Sequence, residues 1–324
     1  AVGTATVKDD GTGDYFAANG NSATSTVPGG VLLDDDRPLT VDNITVNEGT
    51  DFAVFTVTGG AGQYVKLALG DGTAKVDANG TPLTDGTEDY GPALQYWDGD
   101  SWENYTSGAF VQIPVSGTTL LVRTAIVHDA VDEGAQTFTL TATNTGLTDA
   151  LGTATIKDDG TGTKWTFANP TTSIGTAATG PGAGFDDDRV VTVTSPLVNE
   201  ASPYAVFTVD GAQGQLVSLS LGTGTATSGT DYTASMEIST DGGLTWSAYS
   251  SGLTSLDGTG GTLLVRVPVK QDTTDEPGET FTLTATKTNA VATTGTATIV
   301  DDGNGDIFNA DGSLNTTTVK DDDR

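Results

Sequence analysis

GTATVKDDGTG occupies residues 3–13, returns as GTATIKDDGTG at 152–162, and returns again as GTATIVDDGNG at 295–305. A phrase written three times in 324 residues marks an internal repeat, and repeats constrain architecture before any local pattern does. A second marker, DDDR, stands at 34–37, 186–189 and 321–324. The text after it also recurs: LTVDNITVNEGTDFAVFTV (39–57) against VTVTSPLVNEASPYAVFTV (191–209), and QTFTLTATNTG (136–146) against ETFTLTATKTN (279–289). Glu48 lies fourteen residues after Asp34, and Glu200 fourteen after Asp186.

The chain therefore reads as two full repeats, 38–160 and 190–303, with linkers at 161–189 and 304–324. Residues 1–37 read as the closing strand of a preceding repeat plus its linker, and the final DDDR as the start of a following one. On this reading residues 3–8 are expected to pair with a neighbouring copy, or to belong to a preceding repeat, in an end-to-end array.

Within the repeats the local pattern is strand. Phe138, Leu140 and Ala142 alternate with Thr137, Thr139, Thr141 and Thr143, and Phe281, Leu283 and Ala285 do the same in the second repeat. Period two with β-branched partners is the mark of a half-buried antiparallel strand. Similar runs predict strands at 52–58, 64–69, 119–127 and 152–157, with counterparts at 204–209, 215–221, 262–269 and 295–300. Short strands punctuated by Gly, Asp and Asn predict an all-β chain of tandem immunoglobulin-like sandwiches joined by acidic Gly/Thr/Asp-rich linkers. GTAT[VI] is then the last strand of each sandwich, and DDG the corner where the chain leaves it.

Composition narrows function. Thirteen Lys and Arg against 43 Asp and Glu leave a formal charge of −30. That sign excludes nucleic acid and anionic membrane as electrostatic partners, because both require a basic face. No apolar run is long enough for a membrane span. With no cysteine, small extracellular domains need another source of stability.

The order VNEG, then GT(E)DY, then an acidic loop before TFTL, then GTATI followed by paired aspartates, resembles the Calx-beta domain, whose immunoglobulin-like repeats also build giant bacterial surface adhesins. The resemblance covers both repeats and implies a cluster of carboxylates binding calcium at one tip of each sandwich. By position the implied ligands are Glu48, Asp89, Asp129, Glu133, Asp158 and Asp159 in repeat 1, with Asp132 in the same acidic loop. In repeat 2 they are Glu200, Asp231, Asp272, Glu276, Asp301 and Asp302, with Asp275 in the loop. One difference stands at the exit, where the family runs three aspartates into the next domain and this chain has Gly160 or Gly303 in third place.

Charge alone also leads to a cation. Two carboxylates about 4 Å apart repel by roughly 4 kcal/mol at an effective dielectric near 20. If the strand ends converge, such a cluster needs a counter-charge that the scarce Lys and Arg cannot supply. An all-oxygen donor set, with no cysteine and one histidine, selects calcium before magnesium. The plain alternative is that acidic turns only keep the protein soluble and cap themselves.

Several features carry weaker readings. Asp302, Asn304 and Asp306 have the spacing of a calcium loop, but Ile307 replaces its glycine and Ser313 its closing glutamate. DDDR is expected to add ligands at the start of the following domain. The apolar pairs Tyr15 and Phe16, Trp165 and Phe167, and Ile307 and Phe308 are expected to dock on a neighbouring sandwich. STDGGLTW (239–246) has the form of an Asp-box hairpin, and WDGDSWENY (97–105) stands at the same place in repeat 1. Trp97, Trp102, Tyr105, Trp246 and Tyr249 then form either a sugar-stacking face or local packing. Repeat 1 carries an insertion within 70–90. His128 precedes Asp129 in the acidic loop, and no nucleophile, base and orienting group occur together, so no enzyme is expected.

Two function classes follow. One is a calcium-stiffened structural extender of a large extracellular adhesin or filament on a bacterial cell surface, contacting adjacent repeats or neighbouring copies end to end. The other is a carbohydrate-binding module acting through the aromatic hairpins.

Overall fold

The Thr-alternating runs become the longest strands of the computed structural model, Gln136–Asn144 and Glu279–Lys287. Each pairs antiparallel with the strand that carries GTAT, Asp149–Lys157 in the first repeat and Ala292–Val300 in the second. Phe138, Leu140, Ala142 and their counterparts Phe281, Leu283 and Ala285 are fully buried, while the intervening threonines are half-buried. Alternation read from sequence is thus the alternation of core and outer face. The model describes residues 1–24, 33–76, 88–169, 171–178 and 180–322. The repeat 1 insertion falls largely on 77–87, outside the described residues.

The chain forms two compact units. The first comprises 1–129, 133–157 and 162–176, and the second 130–132, 158–161 and 177–324. In the first, one sheet runs Thr40–Val41, Phe52–Thr58, Thr119–Ala125, Gln95–Trp97, Trp102–Asn104. The facing sheet runs Gly175–Ala177, Gly162–Lys164, Ile44–Asn47, Asp149–Lys157, Gln136–Asn144, Tyr64–Gly70, Val111–Gln112. The second unit repeats the plan: Thr192–Val193, Tyr204–Asp210, Thr262–Pro268, Met236–Ser239, Ser247–Tyr249 in one sheet, and Leu197–Asn199, Ala292–Val300, Glu279–Lys287, Leu216–Thr223, Leu253–Ser255 in the other. This is the expected all-β sandwich, built mainly of antiparallel ladders, with Ile44–Asn47 and Leu197–Asn199 parallel to the last strands and Gly162–Lys164 parallel to Ile44–Asn47.

That crossing explains the first glycine of the repeated phrase. Thr40–Val41 pairs with Phe52–Thr58, and then Ile44–Asn47 runs parallel to Asp149–Lys157 in the other sheet. Gly152 lies under the crossover, where a Cβ would sit 2.3 Å from the Asp42 carbonyl oxygen, and at Gly295 it would sit 2.1 Å from that of Thr194. The second glycine has a different reason. Gly11, Gly160 and Gly303 have φ of 69°, 76° and 75°, the left-handed conformation that a side chain disfavours.

Each core is stacked around one pair of rings. Tyr90 lies flat on Phe138 at 4.2 Å and Tyr232 on Phe281 at 4.4 Å, with Phe55 and Phe207 edge-on to the same phenylalanines. The tyrosine of GT(E)DY is therefore a core residue.

The three DDG corners pair with the three DDDR phrases, a relation that sequence reading treated as two separate markers. Gly11 N–H donates to the Asp34 carbonyl at 3.1 Å, Gly160 to Asp186 at 2.8 Å and Gly303 to Asp321 at 2.8 Å. Bridges Asp10–Asp35, Asp159–Asp187 and Asp302–Asp322 complete the pairing. The segments expected as linkers are loops closed at the base. Two of them also lie on the sandwich they leave. Gly162–Lys164 joins the facing sheet of the first unit beside Ile44–Asn47, with Trp165 against the core and Phe167 edge-on to Phe52 at 4.6 Å. Ile307 is buried, Phe308 packs on the second core, and Asp306 bridges to Val198. Tyr15 and Phe16 are exposed on the short hairpin Asp14–Phe16 with Ser22–Thr24. Residues 3–8 are exposed and form no strand pairing among the described residues.

Candidate metal centre

In repeat 2 the strand ends bring the carboxylates to one tip. Glu200 follows Leu197–Asn199, and its N–H donates to the Val300 carbonyl at 2.9 Å, which sets it beside the exit of the last strand. Asp231 is tied from the loop before the core tyrosine, its carbonyl accepting the Lys270 N–H at 2.9 Å. Asp272 N–H donates to Glu200 Oε1 at 2.9 Å, and Glu276 N–H to Asp301 Oδ2 at 2.9 Å. A recess lined by Glu200, Asp231, Glu276, Pro277, Glu279, Ile299 and Asp301 results. Asp231, Glu276 and Glu279 each offer an oxygen within 4.8 Å of the others. Oxygens about 2.3–2.6 Å from a shared calcium lie within about 5 Å of each other, so this donor set fits the ion.

Glu279 was missed by sequence reading, and the signal was present. Gln136 stands at the same point of repeat 1, where its Nε2 donates to Glu133 Oε2 at 2.7 Å. An acid replacing an amide at the first residue of a matched strand was the only clue. The buried Asn199 was missed as well. Its amide donates to the carbonyls of Val300, Asn304 and Asp321 at 3.4, 2.8 and 3.1 Å, and its Oδ1 accepts the Asp321 N–H at 2.7 Å. One side chain thus pins the exit strand, the corner and the DDDR phrase behind Glu200. Asp275 is exposed, and Asp302 is half-buried in the corner, where it accepts the Asn304 N–H at 3.1 Å.

The first unit shows part of the same arrangement. Glu48 N–H donates to the Lys157 carbonyl at 2.9 Å, Asp129 N–H to Glu48 Oε1 at 3.2 Å, and Val127 N–H to the Asp89 carbonyl at 3.0 Å. Asp89 is pushed up to about 6, first by burial and then by the charge of Glu133. Asp132, Asp158 and Asp159 belong to the second unit. There Asp132 is exposed, Asp158 is buried, and Asp159 is half-buried at its corner, accepting the Thr161 N–H at 3.0 Å.

The electrostatics record the crowding. Burial, followed by the charges of Asp272, Asp301 and Asp321, pushes Glu200 up to about 7. Burial first, then a hydrogen bond and charge from Asp231, raises Glu279 as well. A carboxyl whose folded pKa is raised favours folding in its protonated form. That contribution is fully present below the ordinary value of 4.5 and is lost as pH rises to about 7. In calcium-free buffer, the melting midpoint of the second unit is therefore expected to fall between about pH 4.5 and 7, and saturating calcium to remove the fall. A calcium-free midpoint that rises across this window contradicts the clustering.

The aromatic hairpins are built differently. Asp241 accepts the Thr245 N–H at 2.9 Å and its hydroxyl at 2.6 Å, and the Ser239 hydroxyl at 2.7 Å, closing the Asp-box. Trp246 and Tyr204 lie over Arg266, each 4.3 Å away, and Trp102 and Phe52 lie over Arg123 at 4.2 and 3.7 Å. Tyr105 and Tyr249 hydroxyls accept the Leu67 and Leu219 N–H groups at 3.0 and 2.9 Å. Of the two uses weighed for these aromatics, local packing is the one these contacts describe. Hydrogen bonds from Thr245 hold Asp241 down at about 2, so its contribution is present above 3.8 and lost as pH falls through about 2. Asp241→Ala is expected to lower the melting midpoint of the second unit and leave calcium affinity unchanged. An equal loss of calcium affinity would place the metal centre at the hairpin instead.

No family model matches the chain, and no curated protein matches it in sequence. Among solved structures, the calcium binding domain CBD12 of CALX1.1 aligns over 76% of this chain and 79% of its own at 15% identity, with a TM-score of 0.30. The D00-D0 domain of Intimin aligns over 82% and 100% at 12% identity and 0.33. Mouse clustered PcdhgC3 EC1-3 aligns over 82% and 68% at 13% identity and 0.34. At these scores the likeness carries no argument for family or ligand, and the sandwich rests on the strand pairing itself.

Proposed function

We propose that the chain is a calcium-binding structural segment, an extender within a large extracellular adhesin or filament on a bacterial cell surface. The observation that supports it is the convergence of Asp231, Glu276 and Glu279, with an oxygen from each inside 4.8 Å, at a recess that Glu200 and Asp301 also line. No basic side chain lines that recess among the described residues. Crowded carboxylates of this kind favour a hard divalent cation. Near-duplicate sandwiches repeated along the sequence, each with an exit segment laid along its own sheet, suit a structural segment better than a catalyst. Its partners are then adjacent repeats or further copies, and its role is not enzymatic.

Calorimetric titration of the whole chain with calcium tests the reading. Binding that the double variant Glu276→Gln/Glu279→Gln weakens is expected, together with silence on a glycan array. Wild-type chain that takes up no calcium, or a strong glycan signal, would sink it.

A further inference from the structure

Two segments near the start of the chain have the form of elements that the sandwiches bury. GTATVK (3–8) differs from the closing strands at 152–157 and 295–300 only in its last two residues. Ala154 and Ala297 have no exposed surface, and Ile156 and Ile299 are 0% and 5% exposed. Their counterparts Ala5 and Val7 are exposed, Val7 to 91%.

The second segment is the hairpin of Asp14–Phe16 with Ser22–Thr24, which is built like the exit segment of the second sandwich. Ala17 N–H donates to the Asn21 carbonyl at 3.0 Å, and Gly20 N–H to that of Ala17 at 2.8 Å. Asn309 and Gly312 repeat both bonds, to Ser313 at 2.8 Å and to Asn309 at 2.9 Å. Phe16 pairs with Ser22, and Phe308 with Leu314.

The surroundings of the two hairpins differ. Asp306 N–H donates to the Leu197 carbonyl at 2.8 Å and its carbonyl accepts the Asn199 N–H at 2.9 Å, which adds it to the outer edge of the first strand. Phe308 N–H donates to Ser202 Oγ at 3.0 Å, and Ile307 is 3% exposed. Glycine permits this approach: a Cβ on Gly305 would sit 2.5 Å from the Asn199 nitrogen, and one on Gly162 equally close to that of Asn47. Gly13 keeps the positive φ, 115° against 106° at Gly162 and 77° at Gly305, with nothing packed within 4 Å of the same point. Asp14–Phe16 has a neighbouring strand on one edge only, and Tyr15, in the place of Ile307, is 44% exposed. An open strand edge flanked by exposed aromatic rings is a template for pairing with another chain segment.

We propose that residues 3–16 form a docking surface for one partner, a β-sandwich of the same plan that stands before residue 3 and lacks a closing strand of its own. Residues 3–8 supply that strand, between an antiparallel neighbour equivalent to Gln136–Asn144 and a parallel one equivalent to Ile44–Asn47. The backbone of Asp14 pairs with the outer edge of the same parallel strand, and Tyr15 and Phe16 cover its flank. A second copy of the chain does not fit, because among the described residues both sandwiches already hold a closing strand and an exit segment at these places. The proposal rests on the adjacent-repeat partners of the proposed function and is independent of calcium.

The test extends the full chain at its start with a second copy of residues 38–151 joined directly to Gly3, so that GTATVK completes the added sandwich. Hydrogen exchange followed by mass spectrometry compares residues 3–8 and 14–16 in the extended and original chains. Both segments are expected to exchange on the order of 100-fold more slowly in the extended chain, as amides of a stable sheet do. Tyr15→Asp/Phe16→Asp is expected to return 14–16 to the original rate and to leave 3–8 slow. An extended chain in which 14–16 exchanges as fast as in the original overturns the docking surface, whether or not the added sandwich has folded. Slow exchange of both segments in the original chain overturns the choice of partner, since the chain or a second copy then covers them. Neither rate is a measure of calcium uptake, so failure here and failure of the calcium titration are told apart.

Discussion

Stripping calcium from the chain is expected to lower its melting midpoint by on the order of 10–20 °C. An ion that binds only the folded state stabilises it by RT ln(1 + [L]/Kd), about 3–4 kcal/mol at a few hundred-fold excess over Kd. For sandwiches of this size each kcal/mol moves the midpoint by several degrees. The cause is that burial first, and then the neighbouring carboxylates, disfavour the charged forms of Glu200 and Glu279 when no cation is near. Scanning calorimetry in calcium and in chelator measures it, and coincident curves would dismiss the metal reading for both repeats. Glu276→Gln/Glu279→Gln is expected to raise the calcium-free midpoint while reducing the gain on adding calcium. A merely structural pair of glutamates would not produce both changes.

Phe281→Ala is expected to cost about 3–5 kcal/mol, the range for removing a buried aromatic ring and leaving a cavity. Phe281 has no exposed surface and holds Tyr232 flat at 4.4 Å and Phe207 edge-on at 5.8 Å. Its loss removes the centre of the second core. Because the residues of the two cores form separate clusters, the transition of the first unit is expected to stay within about 0.5 kcal/mol of wild type. Phe138→Ala is expected to give the mirror result. Hydrogen exchange followed by mass spectrometry separates the units, and equal loss of protection in both would mean that they fold as one.

Sequence alone determined the all-β class, the sandwiches and most strand positions. Those follow from local alternation, and a threonine-flanked Phe138–Leu140–Ala142 run has one way to bury its apolar side. The resemblance of its motifs to the Calx-beta domain also put Glu200, Asp231, Glu276 and Asp301 into one candidate set. It did not show that Glu279 belongs to the recess, because a residue at the start of a strand reveals its face only when the register is known. Nor did it show that DDG and DDDR are two halves of one pairing. Between 17 and 25 residues separate them, and nothing in either phrase names the other as partner. Only backbone hydrogen bonding joins them, and backbone groups are the same at every residue. Tertiary structure likewise decided why the phrase begins with glycine: Gly152 and Gly295 lie under a crossing chain with no room for a Cβ, whereas Gly160 and Gly303 are required by a local turn that sequence could read.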